Sequence, residues 1–205
     1  MVRLYLDIET YRKNKPFINE KIIAIGVIED WTRYNKFSAY DINSNVEFKM
    51  FSEWKLGSEE QVVRKFYEYF ENLINEAKFL DVIGFNILRF DIPLLIQKGV
   101  EFNVKTLDQL NKLWNDTFTI DLFQIALPTN NMMFKGNTLD RLAMVAKSYG
   151  INIPPSHGSG KDVAIWYEEK KYDEIEQHLK RDLEIIRILE RSGVLMKMLK
   201  NANNL

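Results

Sequence analysis

The sequence predicts one α/β domain, spanning residues 1–205, in which a mixed five-stranded β-sheet is flanked by α-helices. Five segments have the alternating or continuous apolar patterns that are typical of β-strands. Segments with helical periodicity alternate with the later strands, which is the element order of α/β domains. A chain of 205 residues with 46% apolar composition can bury one substantial core, so a single domain is expected.

The first predicted strand runs from Val2 to Ile8, because its residues divide into two alternating sets that point to opposite sides of a sheet. Four further strands are predicted at residues 21–29, 45–51, 79–85 and 117–122.

The predicted helices are recognised by their capping residues and apolar stripes. Ser58, with Gln61 three residues later, predicts the start of the first long helix, and Gly99 predicts the end of a helix that begins near Asp91. Further helices are predicted at residues 138–149, 161–170 and 172–200, and the Pro- and Gly-rich segment 153–160 is predicted to be a loop.

Composition excludes several classes of function. The chain has no cysteine, so disulfides, thiolate zinc sites and cysteine nucleophiles are excluded. No apolar run approaches the length of a membrane span and no signal peptide is evident, so we expect a soluble, cytoplasmic protein. The net charge of −1 argues against a wide basic face for nucleic acid, although an acidic pocket that holds cations remains compatible with phosphate binding.

Acidic residues appear at two places where strands are predicted to end. Asp7 and Glu9 lie two residues apart, so both side chains project from the same face of the first strand. Asp91 stands at a strand-to-helix junction, where sites of α/β sheets gather. The alternatives are a solvated strand end for Asp7 and Glu9, and an ordinary helix N-cap for Asp91.

The last long helix places two polar residues inside its apolar stripe. His178 and Asp182 are four residues apart and therefore lie side by side among leucines and isoleucines. An unpaired carboxylate costs several kcal/mol to bury, so Asp182 needs a partner. The pair is either a structural Asp–His hydrogen bond, or a metal ligand beside a general base.

Three short motifs, in order along nearly the whole chain, resemble the DEDD superfamily of 3′-to-5′ exonucleases, which have a ribonuclease H-like fold. The sequence is similar to the stand-alone relatives of the proofreading domain of family B DNA polymerases. The motifs are Leu6-Asp7-Ile8-Glu9-Thr10, the segment from Gly84-Phe85-Asn86 to Phe90-Asp91-Ile92-Pro93, and His178-Leu179-Lys180-Arg181-Asp182. Between them, Ile120-Asp121-Leu122 and residues 138–143 are similar to the segments that usually separate these motifs.

The resemblance implies that Asp7, Glu9, Asp91 and Asp182 bind two Mg²⁺ or Mn²⁺ ions, roughly 3.5–4 Å apart as in two-metal phosphoryl transfer. His178 would accept the proton of the attacking water, and the products would be nucleoside 5′-monophosphates released from a single-stranded DNA or RNA 3′ end. The residues expected to contact the substrate strand are Thr10, Phe85, Asn86 and Phe90, with core packing as the alternative for Phe85 and Phe90.

One position departs from the family pattern. The subfamily that this chain otherwise resembles has tyrosine four residues before the last acid, and the histidine-type subfamily has histidine five residues before it, whereas His178 stands four residues before Asp182. His157, in the Gly- and Ser-containing loop, is a substitute candidate for the general base. The alternatives to the exonuclease are a catalytically silent ribonuclease H-like module that binds nucleic acid or a replication protein, and an internally cutting nuclease. The loop Met132 to Lys135 could touch the substrate strand, but we expect it to cap the core, because Met and Phe fill gaps in packing well.

Overall fold

The computed structural model describes residues 1–12, 20–32 and 45–202. In these residues the predicted fold class is confirmed, because five strands form one mixed sheet flanked by helices. The arrangement is consistent with a ribonuclease H-like fold. The strands are β1 (Val2–Tyr11), β2 (Lys21–Asp30), β3 (Val46–Ser52), β4 (Leu80–Gly84) and β5 (Phe118–Asp121).

The strand order is β3-β2-β1-β4-β5, with β1 at the centre. β1 pairs antiparallel with β2, which pairs antiparallel with β3, whereas β1, β4 and β5 run parallel. The carboxyl ends of the three parallel strands therefore lie at one edge of the sheet, and β1 extends past β4 there, because their pairing ends at Tyr5 and Ile83.

Helices cover both faces of the sheet. They are α1 (Glu53–Leu56), α2 (Glu59–Glu76), α3 (Asp91–Glu101), α4 (Leu107–Asn115), α5 (Leu122–Ala126), α6 (Leu139–Ser148), α7 (Gly160–Glu168), α8 (Tyr172–Arg191) and α9 (Val194–Ala202). Even-numbered β1 residues such as Leu4 and Leu6 pack in a core with α2 and α3, and Tyr5 packs in a second core with α6 and α8. Asp7 and Glu9 have the parity of Tyr5, so the alternation of β1 directs them towards α8.

The predicted helix starts are confirmed at two positions. The Ser58 side chain accepts a hydrogen bond from the backbone N–H of Gln61, and Thr138 caps α6 in the same way. The predicted stripe of α8 is buried, including Ile175, Leu179 and Leu183.

Two predicted helix ends are wrong. Gly99 lies inside α3 rather than after it. Its role is close packing, because a Cβ there would come within 2.7 Å of Leu110 Cδ1. The predicted helix 172–200 is broken between α8 and α9 at Gly193, whose φ of +63° is left-handed. Helices α1, α4 and α5 are short and were not predicted.

Within the described ranges, no helix is long and apolar enough to cross a membrane.

Candidate active site

Asp7 and Glu9 lie at the carboxyl end of the central strand, where they share one face. Gly84 makes the close approach of β4 possible, because a Cβ there would lie 2.7 Å from the carbonyl oxygen of Leu6. Glu9 is buried, at 7% exposure, and Asp7 is half-buried. The alternative of a solvated strand end does not hold, since neither carboxylate is freely hydrated.

Asp91 reaches the same region from the loop that follows β4. The loop turns at Asn86, whose φ is +66°, and Asp121 at the end of β5 holds it by accepting hydrogen bonds from the N–H groups of Asn86 (2.8 Å) and Leu88 (3.2 Å). Asp121 also accepts from the N–H of Phe123 at 2.9 Å. One buried carboxylate at the end of β5 therefore fixes the path that leads to Asp91.

The Asp91 side chain is buried, at 2% exposure, and its Oδ1 has no hydrogen-bond partner. It is the first residue of α3 and the N-cap position belongs to Phe90, so the simple N-cap interpretation of Asp91 is wrong. A buried carboxylate oxygen without a partner is costly, so this oxygen is a candidate ligand for a cation.

Helix α8 brings His178 and Asp182 to the same place. His178 Nε2 lies 3.6 Å from Glu9 Oε1 and 3.8 Å from Asp182 Oδ2. The helix can lie this close to the sheet because Gly26, opposite Asp7 on β2, has no side chain; a Cβ there would be 2.6 Å from Leu179 Cγ.

The backbone of the Gly- and Ser-containing loop fixes the tautomer of His178. Its Nδ1 lies 2.5 Å from the carbonyl oxygen of His157. Because a carbonyl only accepts, Nδ1 carries the proton and Nε2 faces Glu9 and Asp182. The His157 ring instead pairs with Glu174 (2.7 Å) and stacks on Trp166, so it does not join the acids.

The carboxylates perturb each other strongly. Burial raises the pKa of Asp7 well above its ordinary value, and Asp91, Glu9 and Asp182 raise it further by repulsion. Burial likewise raises the pKa of Glu9, with added repulsion from Asp182 and Asp91. Burial raises the pKa of Asp91 to about 7. Burial also raises the pKa of Asp182, against the opposing effect of His178.

These acids, which come from β1, α3 and α8, lie close enough to disfavour their simultaneous ionisation, and a cation would remove this repulsion. The donors are carboxylate oxygens, the ligands that Mg²⁺ and Mn²⁺ prefer, and Asp91 Oδ1 is an unsatisfied oxygen among them. The chemistry of the donor set therefore fits a divalent cation. In the described part of the chain, no group of three or more His, Asp or Glu side chains stands close enough together to hold a metal ion.

The four predicted substrate contacts lie in different environments. Thr10 donates a hydrogen bond to Glu20 (2.5 Å), and Phe85 packs against the Phe123 ring at 5.5 Å. Phe90 is half-buried against the core of α2 and α3. The Oδ1 of Asn86 is buried without a hydrogen-bond partner. Phe85 and Phe90 thus make packing contacts, and their contact with a substrate strand stays a prediction.

The structure adds features that sequence reasoning missed. Asp121 organises the Asp91 loop, and its signal in the sequence is its N-cap position before α5. The carbonyl of His157 orients His178 and has no side-chain signal. The loop predicted to cap the core is instead exposed, at 64% for Met132 and 54% for Met133.

No protein-family model matches the chain, and no similar curated protein was found.

Proposed function

We propose that this chain is a divalent-cation-dependent nuclease of the DEDD 3′-to-5′ exonuclease superfamily, acting on single-stranded DNA or RNA ends. The observation that carries the proposal is the buried, unpartnered Oδ1 of Asp91 beside the carboxylates of Asp7 and Glu9. A purely structural cluster of acids would leave that oxygen unsatisfied and the repulsion uncompensated.

Asp7, Glu9, Asp91 and Asp182 would hold the Mg²⁺ or Mn²⁺ ions. When bound, two such ions supply Lewis-acid stabilisation of the attacking and leaving oxygens of a phosphodiester. His178 would take the proton of the attacking water at Nε2, because its Nδ1–H is already committed to the carbonyl of His157. Glu9 and Asp182 would stabilise the resulting imidazolium, because their carboxylate oxygens lie 3.6 Å and 3.8 Å from Nε2.

The spacing of His178 from Asp182 differs from both family patterns, yet Nε2 faces two of the acids. This orientation supports His178 over His157 as the general base, because the ring of His157 is turned to Glu174. The same orientation favours an enzyme over a catalytically silent module.

In the test, 5′-labelled single-stranded DNA and RNA with free 3′ ends are incubated with the protein and Mg²⁺ or Mn²⁺. We expect a ladder of shortened products from the wild-type protein, none from Asp7→Asn or Asp182→Asn, and a weak ladder from His178→Ala. Asp108→Asn, which changes an exposed acid on α4, is the matched control and should behave as the wild type. Undiminished cleavage by Asp182→Asn would refute the proposal.

Two further arms separate the alternatives. A circular single strand should survive, and its cleavage would indicate an internally cutting nuclease. Calorimetric titration with Mn²⁺ should show binding that Asp91→Asn weakens; oligonucleotide binding without cation uptake or cleavage would indicate the silent module.

A further inference from the structure

The exposed loop after α5 presents unusually large apolar side chains to solvent. Met132, Met133 and Phe134 are 64%, 54% and 55% exposed, and Leu88 from the neighbouring Asp91 loop is 48% exposed. Single exposed apolar residues are normal, whereas a contiguous cluster marks a contact surface. We call Leu88, Arg89, Met132, Met133, Phe134 and Lys135 the ledge.

The ledge has a fixed backbone. The side-chain amide of Asn130 donates to the carbonyl oxygens of Met133 (2.6 Å) and Lys135 (3.1 Å). The N–H of Met132 donates to the carbonyl of Leu127 at 2.9 Å, and Asn131 and Met132 have left-handed φ values of +51° and +58°. A loop held in this way loses little conformational entropy when it binds a partner.

Arg89 connects the ledge to the candidate active site. Its guanidinium carbon lies 4.3 Å from the centre of the Phe134 ring and 5.4 Å from that of Phe123. Arg89 precedes Asp91 by two residues, on the loop that Asp121 holds. A strand whose terminal phosphodiester reaches Asp91 would meet Arg89 and Phe134 next.

The charge of the ledge selects the class of partner. Residues 85–90 and 127–139 contain Arg89 and Lys135 and no acidic residue. Exposed rings combined with cations suit a polyanion whose bases stack, which is the recognition mode of single-stranded nucleic acid. Resting on the proposed function, we infer that the ledge binds the bases just upstream of the 3′ end, with Phe134 as the stacking platform.

The test measures binding without catalysis. Fluorescence anisotropy of a labelled single-stranded oligonucleotide is recorded in EDTA with wild-type protein, Phe134→Ala, Phe134→Trp and Phe118→Ala. Phe118 is the matched control, because it is 66% exposed at the amino end of β5, the opposite edge of the sheet. We expect Phe134→Ala to weaken binding about 5-fold or more, and Phe134→Trp and Phe118→Ala to bind as the wild type.

A second variant tests the charge contribution independently. Lys135→Gln should weaken binding. It should also make the slope of log affinity against log salt shallower by the amount that corresponds to one phosphate contact. Equal affinities for wild type, Phe134→Ala and Lys135→Gln would overturn the inference. A change of oligomeric state in Phe134→Ala, with unchanged oligonucleotide binding, would also overturn it and assign the ledge to self-association.

The two proposals fail separately. If the wild type binds the oligonucleotide through Phe134 but does not shorten it with Mg²⁺ or Mn²⁺, the binding role of the ledge is supported and the nuclease proposal is refuted. If the wild type produces the ladder and Phe134→Ala binds and cuts equally well, the nuclease proposal is supported and the binding role of the ledge is refuted.

Discussion

The stability of the protein should depend on pH through Asp91 when divalent cations are removed. The pKa of Asp91 in the folded state is about 7, against an ordinary value of 3.8 that applies to the unfolded chain. The folded state therefore binds the proton more tightly. The stabilisation that the folded state gains from the proton on Asp91 is complete below the unfolded-state pKa and is lost as the pH rises through about 7.

The magnitude follows from the difference between the two pKa values. At ~1.36 kcal/mol for each pH unit, the full effect of Asp91 is at most about 4 kcal/mol. About 2 kcal/mol of this falls between about pH 5.5 and about pH 8. The raised pKa values of Asp7, Glu9 and Asp182 act in the same direction. The lowered pKa values of Glu29 and Asp30 act only at more acidic pH.

The assay is urea unfolding, followed by circular dichroism, in EDTA at the two pH values. The wild type should be less stable at about pH 8 by about 2 kcal/mol or more, and Asp91→Asn, which cannot ionise, should lose about 2 kcal/mol of that difference. Mn²⁺ should then stabilise the wild type more at the higher pH, because deprotonated acids bind it better. Equal stability of the wild type at both pH values, or identical profiles for the wild type and Asp91→Asn, would refute the reasoning.

Three substitutions test the supports of the site by urea unfolding. Asp121→Ala leaves three backbone N–H groups without their acceptor and should cost about 2–4 kcal/mol; a loss under about 1 kcal/mol would contradict its role. Gly158→Ala places a Cβ 2.2 Å from an indole carbon and should destabilise by about 2 kcal/mol more than Gly136→Ala, which shares a left-handed φ but has open space around it; equal losses would disprove the steric argument. Gly26→Ala should cost about 1–3 kcal/mol, because its Cβ would clash with Leu179, and a neutral effect would mean that α8 does not need this close approach.

Much of the framework follows directly from local patterns. The alternation of β1 and the stripe of α8 are strong signals, and each carries two of the polar residues that the structure brings together. Asp7 and Glu9 must share a face at spacing two, and His178 and Asp182 must share one at spacing four. The convergence of these two pairs required the tertiary structure, because no local rule states which end of α8 meets β1.

The incorrect predictions have identifiable physical causes. Gly99 and Gly193 look alike in the sequence, but one permits close packing inside a helix and the other provides the left-handed turn that ends one. That distinction depends on packing, because a Cβ at Gly99 would meet Leu110 and Tyr67, whereas a Cβ at Gly193 would meet open space. The Met132 loop resembled a core cap because most of its residues are apolar, but the side-chain hydrogen bonds of Asn130 and the backbone bond from Met132 to Leu127 hold the loop in a conformation that exposes them.

The carbonyl group of His157 has a consequence for how this protein should be probed. A scan that exchanges one side chain at a time leaves every carbonyl in place, so at residue 157 it would report the ring contacts with Glu174 and Trp166 and not the role of the backbone oxygen. Shortening the preceding Pro-Pro segment by one residue would withdraw the acceptor and free the imidazole to rotate. The length of this loop thus sets the position of the carbonyl that orients His178, and deletions or insertions in the loop, rather than side-chain substitutions, would reveal that contribution.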